Sequence, residues 1–217
     1  MGSNELNSMP RKRLAVLVSG GGTNMQKILD RIDGGEIRGE IVAVISSNSK
    51  AYALERARSR NIPTFVRALK DYAGGAERDA AILKILKEYR ADYILLAGYL
   101  GIFTDALLTA YENRILNVHP FLLPAFGGKG YYGLKPHEAA LERGVKLSGA
   151  TVHFVNREID GGPIVMQKAV PVLDNDTPEA LQRRVMEEAE YVIFPEAVKL
   201  LCDDRLTIED GKVRIKK

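Results

Sequence analysis

Only one cysteine, Cys202, occurs in the 217 residues. That excludes an intrachain disulfide framework and a cysteine-based zinc site. In the apolar helical stretch VKLLC this residue reads as a buried structural thiol. Long hydrophobic runs are also missing: stretches such as residues 93–99 fall far below the ~20 residues of a membrane-spanning helix. The opening MGSNELNSMPRKR contains basic residues but no apolar core, so no secretory signal is expected. No repeat or low-complexity linker divides the chain. Residues 1–12 read as a flexible N-terminal tail and residues 13–217 as a single domain, in a cytoplasmic protein with no membrane contact.

Positive charge is scarce where a nucleic-acid binder would need it. The chain carries 31 Lys and Arg against 28 Asp and Glu, a net +3. Seven of the basic residues are Arg11, Lys12, Arg13, Lys212, Arg214, Lys216 and Lys217, near the two ends. Between Leu14 and Gly211 the balance is 24 basic to 27 acidic residues. Nucleic-acid grips spread cationic side chains over a folded face, so no nucleic-acid partner is expected. With 46% hydrophobic and 27% charged residues, the chain has the composition of an ordinary globular domain with its own core.

Short apolar β-rich runs alternate with helical patterns. LAVLV (14–18), IVAVIS (41–46), a short strand after Pro63, YILLAG (93–98) and RILNVH (114–119) read as strands. Helical patterns fall at 25–32, 51–60 and 76–90, and a short helix separates the last two strands. This alternation predicts an α/β fold: a mostly parallel, twisted, Rossmann-like sheet with helices on both faces. After residue 124 a glycine-rich loop, PAFGGKGYYGLKP, leads to a short helix near Pro136. Two strand patterns (148–155 and 163–172), a long helix at 178–202 and a C-terminal hairpin with an Asp-Gly turn follow. Ligands of such sheets bind beyond the carboxyl ends of the strands. SGGGTN, GYLGIF and NVHP all fall there.

Ser19-Gly20-Gly21-Gly22-Thr23-Asn24 joins a strand to a helix, where backbone N–H groups and the helix dipole favour an anion. The loop is not a Walker A motif, since Lys27 lacks the flanking Gly and Ser/Thr. Met25 stands where a dinucleotide fingerprint needs its third glycine, and Ser46-Ser47-Asn48 offers no acid for a ribose diol. A single phosphate fits better than a dinucleotide, the bland alternative being a tight glycine turn. Asn117 and His119 share one side of a strand at the ligand edge. An amide donor beside an imidazole can stabilise an oxyanion or move a proton. His153, inside a strand, reads as a packing or hydrogen-bonding residue, and His137, in the first turn of a helix, as structural. Asp160 alone reads as an Asp-Gly turn residue; near His119 it would hold an imidazolium charged or position a water.

SGGGTN, AGYLGIF, ILNVHPFLLPAF, SGATVHFV, EIDGGPIVMQKAVPV and EEAEYVIFP, in this order over residues 13–202, resemble the family of phosphoribosylglycinamide formyltransferases. The N-x-H-P and D-G-G-P pair is similar to the wider formyltransferase superfamily. The resemblance implies transfer of a formyl group from 10-formyltetrahydrofolate, as co-substrate and without a metal, to the amine of glycinamide ribonucleotide in purine synthesis. It implies that Gly22, Thr23 and Asn24 hold the substrate phosphate and that Glu190 meets its ribose. Asn117, His119 and Asp160 would be the catalytic set: Asn117 and His119 stabilise the tetrahedral oxyanion, and Asp160 keeps His119 protonated and helps relay the proton to the folate nitrogen through water. Leu100, Gly101, Ile102 and Phe103 would line the folate pocket together with Asn117. The loop of Asn156, Arg157, Glu158, Ile159 and Asp160 would close over the pterin. The partners implied are small molecules, with the chain a monomer or homodimer.

Three departures from the family pattern stand out. Gly101 and Gly75 occupy places where members often have arginine, and the 126–133 loop is longer, with Lys129 as a candidate replacement cation. The helix bearing Glu190 is also one residue longer than usual. Methionyl-tRNA formyltransferase and formyltetrahydrofolate deformylase are similar around NVHP and DGGP but carry extra domains, which 217 residues are not expected to hold. Deformylation, formyl transfer to another amine, and a catalytically idle phosphate-binding module on the same sheet are the alternatives. The intact Asn117–His119–Asp160 set speaks against the last.

Overall fold

The computed structural model describes residues 10–216. Its main sheet has seven strands in the order β3-β2-β1-β4-β5-β6-β7. The run KRLAVLV forms β1 (Lys12–Val18), and GEIVAVIS forms β2 (Gly39–Ser46). β3 (Thr64–Val66), β4 (Tyr93–Leu96) and β5 (Ile115–His119) complete a parallel set. β6 (Leu147–Phe154) then pairs antiparallel with β5, and β7 (Ile164–Pro171) antiparallel with β6. The expected α/β fold with a mostly parallel sheet is therefore the observed one.

The apolar strands are continuous because both faces of the sheet are covered. In β1, Leu14, Val16 and Val18 enter one core, and Ala15 and Leu17 the other. The first core packs against α1 (Thr23–Asp33) and the C-terminal helices; the second packs against α3 (Gly75–Glu88). Each fully buried Leu or Val contributes about 1.5–3 kcal/mol relative to exposure, so a strand with five consecutive buried residues is held from both sides.

Short helices α2 (Ala53–Arg58), α4 (Asp105–Ala110) and α5 (Lys135–Arg143) fill the connections. The long C-terminal helix expected at 178–202 is interrupted. α6 (Pro178–Val185) passes into a π-helical turn, Met186–Glu190, before α7 (Tyr191–Cys202). A π-turn accommodates an extra residue within a continuous helix, in keeping with the added length read from the sequence.

The basic residues near the ends are largely part of the fold. Lys12, expected in the tail, is the first residue of β1 and pairs with Asp204 at 2.8 Å. Arg13 pairs with Glu40 and donates to the Tyr89 carbonyl at 3.0 Å. Lys212 and Arg214 lie in a terminal hairpin of β8 (Leu206–Glu209) and β9 (Lys212–Ile215). Most of the expected tail, residues 1–9, lies outside the described residues, as does Lys217.

The strand order places β2 on one side of β1 and β4 on the other. A crevice opens where connections diverge in this way, beyond the carboxyl ends of the strands. Ser19, just after β1, ties its two walls: its hydroxyl accepts the Leu100 N–H at 2.9 Å and contacts the Ser47 hydroxyl at 2.6 Å.

Candidate active site

A cavity of about 720 Å³ occupies this crevice. Asn117 and His119 line it from the end of β5, on the same side of the strand, as period-two alternation requires. The antiparallel β6 sets His153 directly opposite Asn117 and Thr151 opposite His119. Thr151 is buried and anchors the chain that leaves β5. Its hydroxyl donates to the Phe121 carbonyl at 2.7 Å and accepts the Leu123 N–H at 3.0 Å. That path brings the Phe126 carbonyl to 2.9 Å from Nε2 of His119.

Asp160 enters from the connection between β6 and β7, with a left-handed backbone (φ 57°) that Asp tolerates better than most residues. The DGGP turn is tight. A Cβ on Gly162 would stand 1.8 Å from the Phe154 carbonyl oxygen, so only glycine fits there. The result places Asp160 Oδ2 3.5 Å from His119 Nδ1, and Oδ1 3.6 Å from His153 Nε2. The Gly128 N–H also donates to Oδ2, at 2.8 Å.

These contacts set the protonation states. Because a carbonyl only accepts, His119 Nε2 carries the proton given to Phe126, which leaves Nδ1 facing Asp160. Burial pushes His119 below its usual value, and Asp160 and the Phe126 carbonyl only partly restore it. Nδ1 of His119 thus stands beside the Asp160 carboxylate, which favours the imidazolium, while burial disfavours it. For Asp160 burial works against the charge, but the His153 ring, His119 and the Gly128 amide together hold its carboxyl below the usual range. His153 donates from Nδ1 to the Phe154 carbonyl at 2.9 Å, so its Nε2 accepts from Asn117 Nδ2 at 3.1 Å.

The glycine loop flanks the other end of the crevice. The Gly20 carbonyl accepts the Ala53 N–H at 3.2 Å, and the Gly21 carbonyl accepts Arg56 Nε at 2.9 Å. In a trans peptide N–H and C=O point oppositely, so the Gly21 and Gly22 N–H groups turn away from α2. Gly22 caps α1 with φ 71°, and a Cβ there would lie 2.5 Å from Ala53 Cβ. Gly22 and Thr23 are not among the residues lining the cavity; they open the helix that carries Asn24, which does line it. Asn24 Nδ2 donates to Glu190 Oε2 at 2.6 Å. Burial raises the Glu190 carboxyl above the usual range, with the Asn24 hydrogen bond opposing it. The π-turn presents both Glu190 and Met186 to the cavity.

Leu100, Gly101, Ile102 and Phe103 form a third wall, and Asn156, Arg157, Ile159 and Asp160 face it. Glu158 does not line the cavity: its side chain packs against Gly161, and its N–H donates to Asn156 Oδ1 at 2.9 Å. A Cβ on Gly101 would stand 2.5 Å from the Tyr99 ring, so Tyr99 fills the space that a side chain at 101 would need. The long loop contributes Lys129 and Tyr132, and its start binds both His119 and Asp160 through Phe126 and Gly128.

The structure thus brings together the expected Asn117, His119 and Asp160. It adds His153, which the sequence marked only as a packing or hydrogen-bonding residue; it is hydrogen-bonded, and to Asn117 itself. The signal was available only through strand register: a histidine opposite Asn117 on a partner strand shares its face.

The family model described as Formyl transferase matches residues 12–198. The chain is 45% identical over 204 residues to the chloroplastic phosphoribosylglycinamide formyltransferase of Arabidopsis thaliana, covering 93% of this chain and 69% of that protein. It is 41% identical over 200 residues to the phosphoribosylglycinamide formyltransferase of Haemophilus influenzae, covering 92% of each. Among solved structures, glycinamide ribonucleotide transformylase 1 from Symbiobacterium toebii superposes with a TM-score of 0.90 at 46% identity, over 95% of both chains.

Proposed function

This chain belongs to the formyl transferase family and is a transferase of purine biosynthesis, and on that premise we propose that it moves the formyl group of 10-formyltetrahydrofolate to the amine of glycinamide ribonucleotide. The observation that carries this reading is the convergence of Asn117, His119 and Asp160 on one wall of a cavity. That cavity runs between an anion-suited helix start and an apolar loop.

In this reading the Gly21 and Gly22 amides and the start of α1 take the substrate phosphate, where the helix dipole favours a dianion. Asn24 and Glu190 lie next along the cavity and meet the ribose. Leu100, Gly101, Ile102 and Phe103 hold the folate, and the residues around Asn156 and Ile159 border its pterin. The substrate amine attacks the formyl carbon, forming a C–N bond as the carbonyl π electrons move to oxygen. One Asn117 N–H is held by His153, which leaves the other to bind that oxyanion. His119 accepts the proton from the attacking nitrogen at Nδ1, where Asp160 stabilises the imidazolium formed. As the oxyanion re-forms the carbonyl, the bond to the folate nitrogen breaks and its electron pair takes the proton held at His119, passed through a water beside Asp160, which returns the imidazole to its neutral form. The products are formylglycinamide ribonucleotide and tetrahydrofolate.

The test is tetrahydrofolate release from 10-formyltetrahydrofolate with and without glycinamide ribonucleotide. Strict dependence on the amine, with one formylated product per tetrahydrofolate, is expected. Equal release without the amine, accompanied by formate, would replace transfer by hydrolysis.

A further inference from the structure

Residues 98–103 form a cavity wall without regular secondary structure. Leu100 and Ile102 project from it with 60% and 62% of their surfaces exposed. Hydrophobic burial of these two side chains therefore cannot set the course of the loop. Behind it lie two charged neighbours on α3, Arg78 and Asp79, only 3% and 1% exposed. Adjacent helical residues diverge by about 100°, yet Arg78 turns back so that Nε and the terminal nitrogen reach Asp79 Oδ1 at 2.9 and 2.6 Å.

The pair makes three further hydrogen bonds to the loop. The same Arg78 nitrogen donates to the Ile102 carbonyl at 2.6 Å. Asp79 Oδ2 accepts both the Thr104 N–H, at 2.6 Å, and the Thr104 hydroxyl, at 2.8 Å. The guanidinium also lies 6.0 Å over the Phe103 ring, which stacks on Tyr99 at 5.3 Å. A buried ion pair is weak evidence for stability, because desolvation offsets its attraction. This one spends its hydrogen bonds on backbone that would otherwise be unpaired.

We propose that Arg78 and Asp79 are positioning residues for the folate side of the reaction, fixing the Gly101–Phe103 wall through Ile102 and Thr104. This inference rests on the reading of that wall as the folate site. Neither residue touches the reacting atoms, and neither serves the glycine-loop end of the cavity.

The double variant Arg78→Met/Asp79→Leu removes both charges together and avoids leaving one buried and unpaired. The expected result is a KM for 10-formyltetrahydrofolate and a Kd for tetrahydrofolate raised about tenfold or more, because small misplacements of a binding wall are costly. The KM for glycinamide ribonucleotide should stay within about twofold. Thr104→Val, which loses only the hydroxyl contact and keeps the fold, should raise the same two folate constants by a smaller factor. Folate constants that do not move in Thr104→Val and in a folded double variant overturn the proposal, as does an equal rise in both substrates' KM. Should the double variant not fold, Thr104→Val decides alone. Absence of tetrahydrofolate binding to the wild-type protein would instead overturn the assignment of the wall itself.

Discussion

Asn117 and His153 face each other across the antiparallel junction of β5 and β6, joined by a 3.1 Å hydrogen bond from Nδ2 to Nε2. The bond holds the amide of Asn117 in one orientation, and the carbonyl of Phe154 holds the imidazole in one tautomer. His153→Phe keeps an aromatic ring but removes the acceptor. The expected result is a kcat lower by roughly tenfold or more, as when an oxyanion donor loses its aim, with both KM values nearly unchanged. A kcat within twofold of wild type would remove His153 from the site.

Asp160→Asn is the sharper chemical test. Asparagine also tolerates the left-handed backbone found there, so the loop should keep its course while the charge beside His119 is lost. A fall in kcat of roughly 10²–10⁴-fold is expected from removal of a group that assists proton transfer. Unchanged circular dichroism would accompany it. Activity within a few-fold of wild type would refute the role.

Gly22→Ala tests the helix start. The added Cβ meets Ala53 Cβ at 2.5 Å in a backbone of φ 71° that disfavours side chains. Displacement of the loop should raise the KM for glycinamide ribonucleotide by about tenfold while the folate KM holds. A loss of about 1–3 kcal/mol in unfolding free energy should accompany it. Equal KM values in variant and wild type would separate this loop from phosphate recognition.

His137 supplies a pH prediction. It is fully buried, neither ring nitrogen has a partner among the described residues, and burial holds its pKa down at about 4. The unfolded chain, with an ordinary value near 6.5, takes up the proton first as pH falls. The stability contributed by the neutral ring is therefore complete above pH of about 6.5 and drains away as pH falls towards about 4, a change on the order of 3 kcal/mol. His137→Leu should flatten the Tm profile across that window. An identical slope in the variant would assign the acid sensitivity elsewhere.

The alternation of LAVLV, IVAVIS and YILLAG with helical segments was legible because each pattern is local, and so were the glycine loop and the Asn117–His119 pair. The role of His153 was not, since it depends on which strand lies beside β5 and in what register. Glu158 was misplaced for a similar reason: membership of a loop says nothing about which of its side chains turn inward. The burial of His119 comes from the packing of distant segments, which no motif displays.

Backbone chemistry and residue periodicity, written in the sequence alone, determined the α/β sheet, the anion-suited helix start and the nature of the candidate catalytic side chains. Those properties depend on neighbours a few residues apart. Tertiary structure alone decided that β6 runs antiparallel to β5, that Asp160 reaches two histidines, and that Arg78 and Asp79 clamp a wall 24 or 25 residues onward. Such relations arise from the packing of distant segments, and they set the distances and desolvation on which proton transfer depends.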